Sequence, residues 1–167
     1  MDAIVIAGGI PKPEEPLYPY TRGIAKAMLD IAGKPMVQWV LDALSGAEHV
    51  DNVIIIGLPD EDAVTCAKPT HHIPNQGRML ANIKAGIAKM REINPKSEYV
   101  LSVSSDIPAI TSEMIDWLIG TALETRHDIY YGVVKKEVME ARYPESNRTF
   151  TKLKDMEVCG ADVHIAH

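Results

Sequence analysis

The sequence is short of cysteine, of basic charge and of long apolar runs. Its two cysteines, Cys66 and Cys159, stand far apart, which favours free thiols in a reducing cytosol over a disulfide. The formal net charge of −6 argues against a general nucleic-acid binder, because such a protein neutralises phosphates with a basic face. Apolar runs such as NVIIIGL at 52–58 are too short to cross a bilayer. With no leader-like segment ahead of the first strand pattern, we predict a cytoplasmic protein without membrane or nucleic-acid partners.

What is present is the composition of an ordinary globular domain. The 167 residues are 46% hydrophobic and 24% charged, show no internal repeat, and suffice to bury a substantial core. We therefore expect one domain over residues 1–167. The last predicted strand, at 161–166, has no closing helix after it, which suggests a domain shortened at its C-terminal end or completed by another element.

Apolar, β-branched runs alternate with segments of helical period along most of the chain. The predicted strands are 3–7, 52–58, 63–67, 99–103 and 129–134, followed by a hairpin of strands 148–153 and 161–166. The predicted helices are 36–44, 78–93 and one that begins after an N-cap at Thr111. Strands that are apolar on both faces and alternate with helices predict a three-layer α/β fold, a mainly parallel sheet with helices on both faces.

An apolar helix face and two tryptophans are predicted to contribute to the core. The helix at 78–93 is expected to bury one face, and both tryptophans, Trp39 and Trp117, are expected to be core residues. The members of that face recur at three- and four-residue steps: Met79, Leu80, Ile83, Ile87 and Met90.

Residues that suit ligand binding follow the first and fourth predicted strands. AGGIP comes after the strand at 3–7, and SSDIPAIT comes after the strand at 99–103. In an open parallel sheet, ligands bind beyond the carboxyl ends of the strands, where the winding direction reverses. We therefore predict that these two strands are parallel neighbours, so that Gly8, Gly9 and Asp106 share one crevice.

Each charged candidate residue also has an ordinary structural interpretation. Asp106 either caps the turn at 107–111 or serves as a carboxylate ligand for Mg²⁺. Lys26 is either a solvated lysine or a cation of the same crevice.

The stretch LYPYTRGIAKAMLDIAGKPM at 17–36 resembles the signature of nucleotidyltransferases that make nucleotide-activated sugars. The family pattern is Leu-x-Pro-x-Thr, a lysine five residues later, and Leu-x-x-x-Gly-Lys-Pro-Met, and every position is matched here. SSDIPAIT resembles the Asp-x-Pro strand end of the related molybdenum-cofactor guanylyltransferase group. AGG at 7–9, GRMLANIKAGI at 77–87 and the hairpin at 148–166 are also similar to family segments.

The resemblance implies a Rossmann-like nucleotidyltransferase fold and a catalytic pair. Asp106 would hold Mg²⁺, and Lys26 would stabilise the charge that builds on the α-phosphate. Asp162 would be a second metal ligand, although a solvated aspartate at a strand end is the alternative. The residues implied to contact the base and ribose are Ala7, Gly8, Gly9, Gly77 and Asn82.

The sequence departs from the family at the loop after AGG. The family has a third glycine and an arginine there, whereas this chain has IPKPEEP at 10–16, in which each proline removes an N–H group. We expect Glu14 and Glu15 to point to solvent, away from phosphate. Lys12 or Arg22 would have to supply the missing positive charge.

The function implied by the resemblance is Mg²⁺-dependent transfer of a nucleoside monophosphate from a nucleoside triphosphate to a phosphorylated acceptor, with release of pyrophosphate. The alternative is a nucleotide-binding or scaffold domain that keeps the fold without turnover. The altered loop favours the alternative, whereas the presence of both Lys26 and Asp106 favours the enzyme.

Overall fold

The computed structural model describes residues 1–167 as a three-layer α/β fold around a seven-stranded sheet. The strands are β1 (Asp2–Ile6), β2 (Asp30–Ile31), β3 (Lys34–Pro35), β4 (Val53–Ile56), β5 (Thr70–Ile73), β6 (Val100–Ser104), β7 (Ile129–Lys135), β8 (Thr151–Lys152) and β9 (Glu157–Ala166). The helices are α1 (Tyr18–Thr21), α2 (Met36–Gly46), α3 (Met79–Ile93), α4 (Ser112–Thr125) and α5 (Lys136–Arg142), with a 3₁₀ turn at Lys26–Met28. None of the helices is both long and apolar enough to span a membrane.

The order of strands in the sheet is β5-β4-β1-β6-β9-β7, and β8 pairs with β9. β1 is parallel to both β4 and β6, which confirms the predicted neighbours. β9 runs antiparallel between β6 and β7. The chain winds outward from β1 through β4 to β5 and then returns to β6 on the other side of β1. The reversal of winding therefore lies between β1 and β6, which is where such sheets bind ligands.

Helices cover the sheet unequally on its two faces. On one face, α2 and α4 bury Val37, Leu41 and Ile119 against side chains of β1, β4 and β6. On the other face, Met90 of α3 packs on Ile4 and Ile54 of β1 and β4. Burying such aliphatic side chains contributes roughly 1.5–3 kcal/mol each to folding. The α3 face is left open over β6, β9 and β7, where exposed and half-buried side chains alternate along β7.

The predicted strand at 63–67 is wrong, and β5 lies a few residues later. The side chain of Gln38 on α2 makes hydrogen bonds to both backbone groups of Thr65. It donates to the carbonyl and accepts from the N–H, each at 2.8 Å. Ala67 donates its N–H to the Ser45 hydroxyl at 2.9 Å. These side chains replace a strand partner, and the chain becomes a strand only at Thr70–Ile73, beside β4.

Other elements differ less from the prediction. The sequence did not reveal α5, and the last strand starts at Glu157 instead of 161. Cys66 and Cys159 are free thiols, as predicted.

The apolar face predicted for α3 is only partly buried. Met90 is buried, but Met79 is 71% exposed and Leu80 63% exposed, because the first turn of α3 stands at the carboxyl edge of the sheet. Trp117 is 71% exposed, so its prediction as a core residue is also wrong. Trp39 is half-buried, and its indole N–H donates to the Ile31 carbonyl at 2.9 Å.

Candidate active site

Lys26 and Asp106 form an ion pair at the carboxyl edge of β1 and β6. The backbone N–H of Lys26 donates to the Gly9 carbonyl at 2.9 Å, which anchors the 3₁₀ turn to the loop after β1. From there the ammonium nitrogen lies 2.5 Å from Oδ2 of Asp106. About a third of each side chain is exposed, so the pair can be reached by a ligand.

The Asp106 carboxylate is held ionised by its neighbours. Burial raises the pKa of this carboxyl, but hydrogen bonds from the Lys26 ammonium and the Ser104 hydroxyl outweigh it, and the pKa lies below its ordinary value. The turn at 107–111 closes through its own backbone, with Ile110 N–H donating to the Ile107 carbonyl at 3.1 Å. The carboxylate therefore interacts with the crevice and makes no hydrogen bond to that turn.

The turn after β1 leaves two donors free. Ala7 is fully buried and donates its N–H to the Ile56 carbonyl at 2.8 Å, so this group is not available to a ligand. The N–H groups of Gly8 and Gly9 make no hydrogen bond within the chain. Unpaired backbone N–H groups at a strand end are ready donors for an anion.

Hydrogen bonds of the Asn75 side chain connect several of the predicted nucleotide-binding residues. Asn75 itself was not predicted from the sequence. Its amide donates to the Gly8 carbonyl at 3.0 Å, and its side-chain oxygen accepts from Gly77 N–H at 2.9 Å and from the Asn82 amide at 3.2 Å. Asn82 is buried and accepts from Gln76 N–H at 2.7 Å. The structure thus brings Gly8, Gly77 and Asn82 together through a residue whose only sequence signal is a polar Pro-Asn-Gln-Gly turn.

A close backbone approach fixes the position of Gly8. Gly57, at the end of β4, has φ of +79°, and a Cβ atom built on it would lie 2.7 Å from Gly8 Cα. A Cβ on Gly8 would in turn lie 2.6 Å from the Asn75 amide nitrogen. Gly57 therefore has to be glycine, and a side chain on Gly8 would displace the Asn75 amide.

A cavity of about 240 Å³ lies between α3 and the open part of the sheet. Its polar lining groups include Lys26, Ser104 and Asp162, and Lys26 and Ser104 also bond Asp106. Asp162 has φ of +60° and pairs with Arg148 at 3.1 Å. The other lining residues are Ile6, Gly9, Met79, Ile83, Ser102 and His164.

The proline-containing loop borders a second cavity, of about 520 Å³, whose wall includes Gly9 and Lys26. Pro11 is buried and anchors the loop. Glu14 and Glu15 are exposed, as predicted, but Glu15 also lines this cavity, where it would face an entering phosphate. Lys12 and Arg22 are exposed and line neither cavity.

The residues at this site fit a magnesium ion. Mg²⁺ is bound in proteins by one or two carboxylates and completes its shell with water and substrate phosphate. Asp106 supplies a rigid, ionised carboxylate, and Asp162 lines the same cavity as the two residues that bond Asp106. The protein has no cluster of three or more acidic, histidine or cysteine side chains that would form a cage.

The Lys–Asp pair and the free glycine N–H groups lie at the reversal point of the sheet, where doubly wound folds bind their ligands. The family model described as MobA-like NTP transferase domain matches residues 3–158. The chain belongs to this family.

The curated relatives include two cytidylyltransferases. The chain is 29% identical over 124 residues to 3-deoxy-manno-octulosonate cytidylyltransferase of Geotalea uraniireducens (strain Rf4), covering 72% of this chain and 47% of that protein. It is 31% identical over 107 residues to the protein of that name from Geobacter sulfurreducens, covering 62% and 41%. The bifunctional protein GlmU of Thermoanaerobacter pseudethanolicus is 25% identical over 117 residues, covering 70% and 24%. The chain thus spans less than half the length of each.

Solved structures share the fold over 99% of this chain. A hypothetical transferase from Thermus thermophilus superposes with a TM-score of 0.72 at 27% identity, and this chain covers 64% of it. CMP:2-keto-3-deoxy-manno-octonic acid synthetase complexed with CTP and 4-diphosphocytidyl-2C-methyl-D-erythritol synthase both give 0.63, at 16% and 17% identity, and this chain covers 73% of each.

Proposed function

We propose that the chain transfers a nucleoside monophosphate from a nucleoside triphosphate to an oxygen of a small acceptor and releases pyrophosphate. The observation that carries the proposal is the Lys26–Asp106 pair, 2.5 Å apart, beside the unpaired N–H groups of Gly8 and Gly9. Membership of the MobA-like NTP transferase domain family gives independent support.

In this reaction the protein positions the two reactants and neutralises the negative charge of the phosphates. An acceptor oxygen attacks the α-phosphorus, a new P–O bond forms, and the bond to the pyrophosphate leaving group breaks. The Lys26 ammonium offsets negative charge on the α-phosphate oxygens, and the Gly8 and Gly9 N–H groups bind phosphate or ribose oxygens. Asn75 holds the Gly8 and Gly77 turns at a fixed separation on either side of the nucleotide.

Magnesium completes this site in the proposed enzyme. When bound, Mg²⁺ would neutralise and orient the triphosphate. Asp106 would hold it, with Asp162 as the second carboxylate. The ionised state of Asp106 prepares it for this role, since the Lys26 and Ser104 hydrogen bonds keep the carboxyl deprotonated at neutral pH.

The names of the relatives suggest which nucleotide and which acceptors to test first. Two of the curated relatives are cytidylyltransferases, and one of the similar structures is described with CTP bound. We therefore infer that CTP is the first nucleotide to test. The acceptor is a phosphorylated small molecule or a sugar acid, and the reaction takes place in the cytoplasm.

The deciding experiment measures pyrophosphate release from each of the four nucleoside triphosphates with Mg²⁺ and a panel of sugar phosphates, polyol phosphates and sugar acids. Lys26→Met should abolish release, whereas the matched surface variant Lys89→Met should leave it unchanged, because Lys89 pairs only with Glu92 on α3. A wild-type chain that binds a nucleotide but releases no pyrophosphate with any acceptor would support the scaffold alternative instead.

A further inference from the structure

The open part of the sheet carries a stacked pair of rings that the proposed nucleotide site does not use. Tyr131 of β7 and His164 of β9 stack with their centroids 4.3 Å apart and their planes 11° from parallel. The alignment of β7 with β9 shifts between Tyr131 and Val133, a bulge that re-aims neighbouring side chains. His164 lies in the wall of the 240 Å³ cavity together with Lys26 and Ser104.

One hydrogen bond fixes the protonation of the His164 ring. The backbone N–H of Gly132 donates to His164 Nδ1 at 3.1 Å. A ring nitrogen that accepts a hydrogen bond carries no proton, so the proton of the neutral ring is on Nε2. Nε2 has no hydrogen-bond partner in the protein and is not buried, which leaves a free N–H donor on a residue that lines the cavity.

Other polar side chains lie near His164 on β6 and on β9 itself. Ser102 of β6 lies opposite His164 in the sheet, and its side chain lines the same cavity. Asp162, two residues before His164, is paired with Arg148. The cavity thus has hydrogen-bond donors on its β6–β9 side, and its wall does not include Gly8, Gly77 or Asn82, which we assign to the nucleotide.

We propose, on the basis of the nucleotidyl transfer inferred above, that His164 binds the acceptor, donating a hydrogen bond from Nε2 to one of its oxygens while Tyr131 holds the ring in place. The acceptor is therefore an oxygen-rich molecule that presents a hydroxyl, carboxylate or phosphate oxygen to the β6–β9 side of the cavity. Gly132 and Tyr131 act as positioning residues, through the Nδ1 hydrogen bond and the stack.

Two substitutions of His164 that place an amide N–H donor at different distances from the backbone test its role in acceptor binding. Gln carries its amide nitrogen at the ε position, as His164 Nε2 does, whereas Asn carries it one bond shorter. We expect His164→Asn to raise the KM or Kd for the acceptor about tenfold and His164→Gln to raise it less, with CTP affinity unchanged in both. His127→Phe is the matched control, since His127 precedes β7 at the opposite edge of the sheet.

A measurement that does not depend on turnover separates this proposal from the proposed function. Imidazole ¹⁵N NMR of the wild-type chain should show His164, assigned by its absence in His164→Gln, with the proton on Nε2. In the presence of Mg²⁺ and CTP, that signal should shift on addition of glucose 1-phosphate, glycerol phosphate or a keto-deoxy sugar acid, and the responding member identifies the oxygen type.

The outcomes are decisive in either direction. A proton on Nδ1, no shift with any member of the panel, or an unchanged acceptor constant in His164→Asn would overturn the role of His164. Absence of pyrophosphate release from the wild type would count against the proposed function alone, because the NMR shift reports acceptor binding whether or not transfer follows.

Discussion

The ammonium nitrogen of Lys26 lies 2.5 Å from Oδ2 of Asp106, although 80 positions separate the two residues in the chain. The contact joins the turn after β1 to the end of β6, so it depends on these strands being parallel neighbours. In the absence of nucleotide the lysine balances the charge of the carboxylate. In the proposed enzyme, an arriving triphosphate would give that ammonium a new anion and would free the carboxylate for a cation.

Asp106→Asn should weaken Mg²⁺-dependent nucleotide binding while leaving the fold intact. The side chain is at the rim of the crevice and makes no hydrogen bond to the 107–111 turn, so removing its charge costs little packing. Titration calorimetry with CTP, with and without Mg²⁺, measures the effect. A fall of several degrees in melting temperature with an unchanged response to metal would instead assign Asp106 a structural role.

The altered loop should make triphosphate binding weak and dependent on Lys12 and Arg22. The prolines of the 10–16 segment remove N–H donors, and Glu15 borders the cavity beside Lys26. We expect the double variant Lys12→Ala/Arg22→Ala to weaken CTP binding further, as measured by fluorescence titration. Micromolar binding that survives both substitutions would show that the loop needs neither cation.

Asn75→Ala should lower nucleotide affinity more than it lowers stability. The variant loses the hydrogen bonds that hold Gly8, Gly77 and Asn82, and each is worth about 0.5–1.5 kcal/mol. A rise of about five- to thirtyfold in the Kd for CTP is expected. Gln76→Ala is the control, because that side chain bonds only the Pro74 carbonyl. Equal effects of the two variants would contradict a positioning role for Asn75.

Gly57→Ala should damage both stability and the site. The new Cβ would meet Gly8 Cα at 2.7 Å in a backbone conformation with φ of +79°, and such strain costs about 1–3 kcal/mol. Denaturant unfolding and CTP titration measure the two losses. Gly120→Ala in α4 meets no atom within 4 Å and should stabilise the protein by about 0.5–1 kcal/mol, because alanine favours a helix. The prediction fails if both alanine variants behave alike.

Asp116→Ala should destabilise the protein at neutral pH and have little effect in acid. Partial burial raises the pKa of Asp116, but the N–H groups of Glu48 and His49 and the His49 ring outweigh it, so the pKa is lowered from 3.8. Because the pKa of this carboxyl is lower in the folded protein than in the unfolded chain, the carboxylate stabilises the fold at pH values above its pKa in the unfolded chain. This stabilisation disappears as the pH falls through the pKa of the folded protein. Unfolding free energies across pH should differ by about 1–2 kcal/mol near neutrality and converge below pH 3.8. A constant difference would exclude the carboxylate as the cause.

Local pattern in the sequence was sufficient for the class of fold and for the edge that holds the site. The apolar runs of β1, β4 and β6 and the periods of α2, α3 and α4 follow from the burial of side chains at fixed spacing, so each can be read from a short window. The pairing of β1 with β6 followed from the βα alternation. The motif at 17–36 identified the nucleotidyltransferase superfamily because it is contiguous.

Only the tertiary structure decided how the site is held. Asn75 bonds Gly8 across 67 positions, and Gly132 fixes the His164 ring across 32, so no local window contains either pair. The failed strand at 63–67 has the same origin, since Gln38 of a distant helix satisfies the backbone of Thr65. Sequence pattern reports which face of a segment is buried, whereas these directional hydrogen bonds depend on which segments meet, and that is settled when the sheet assembles.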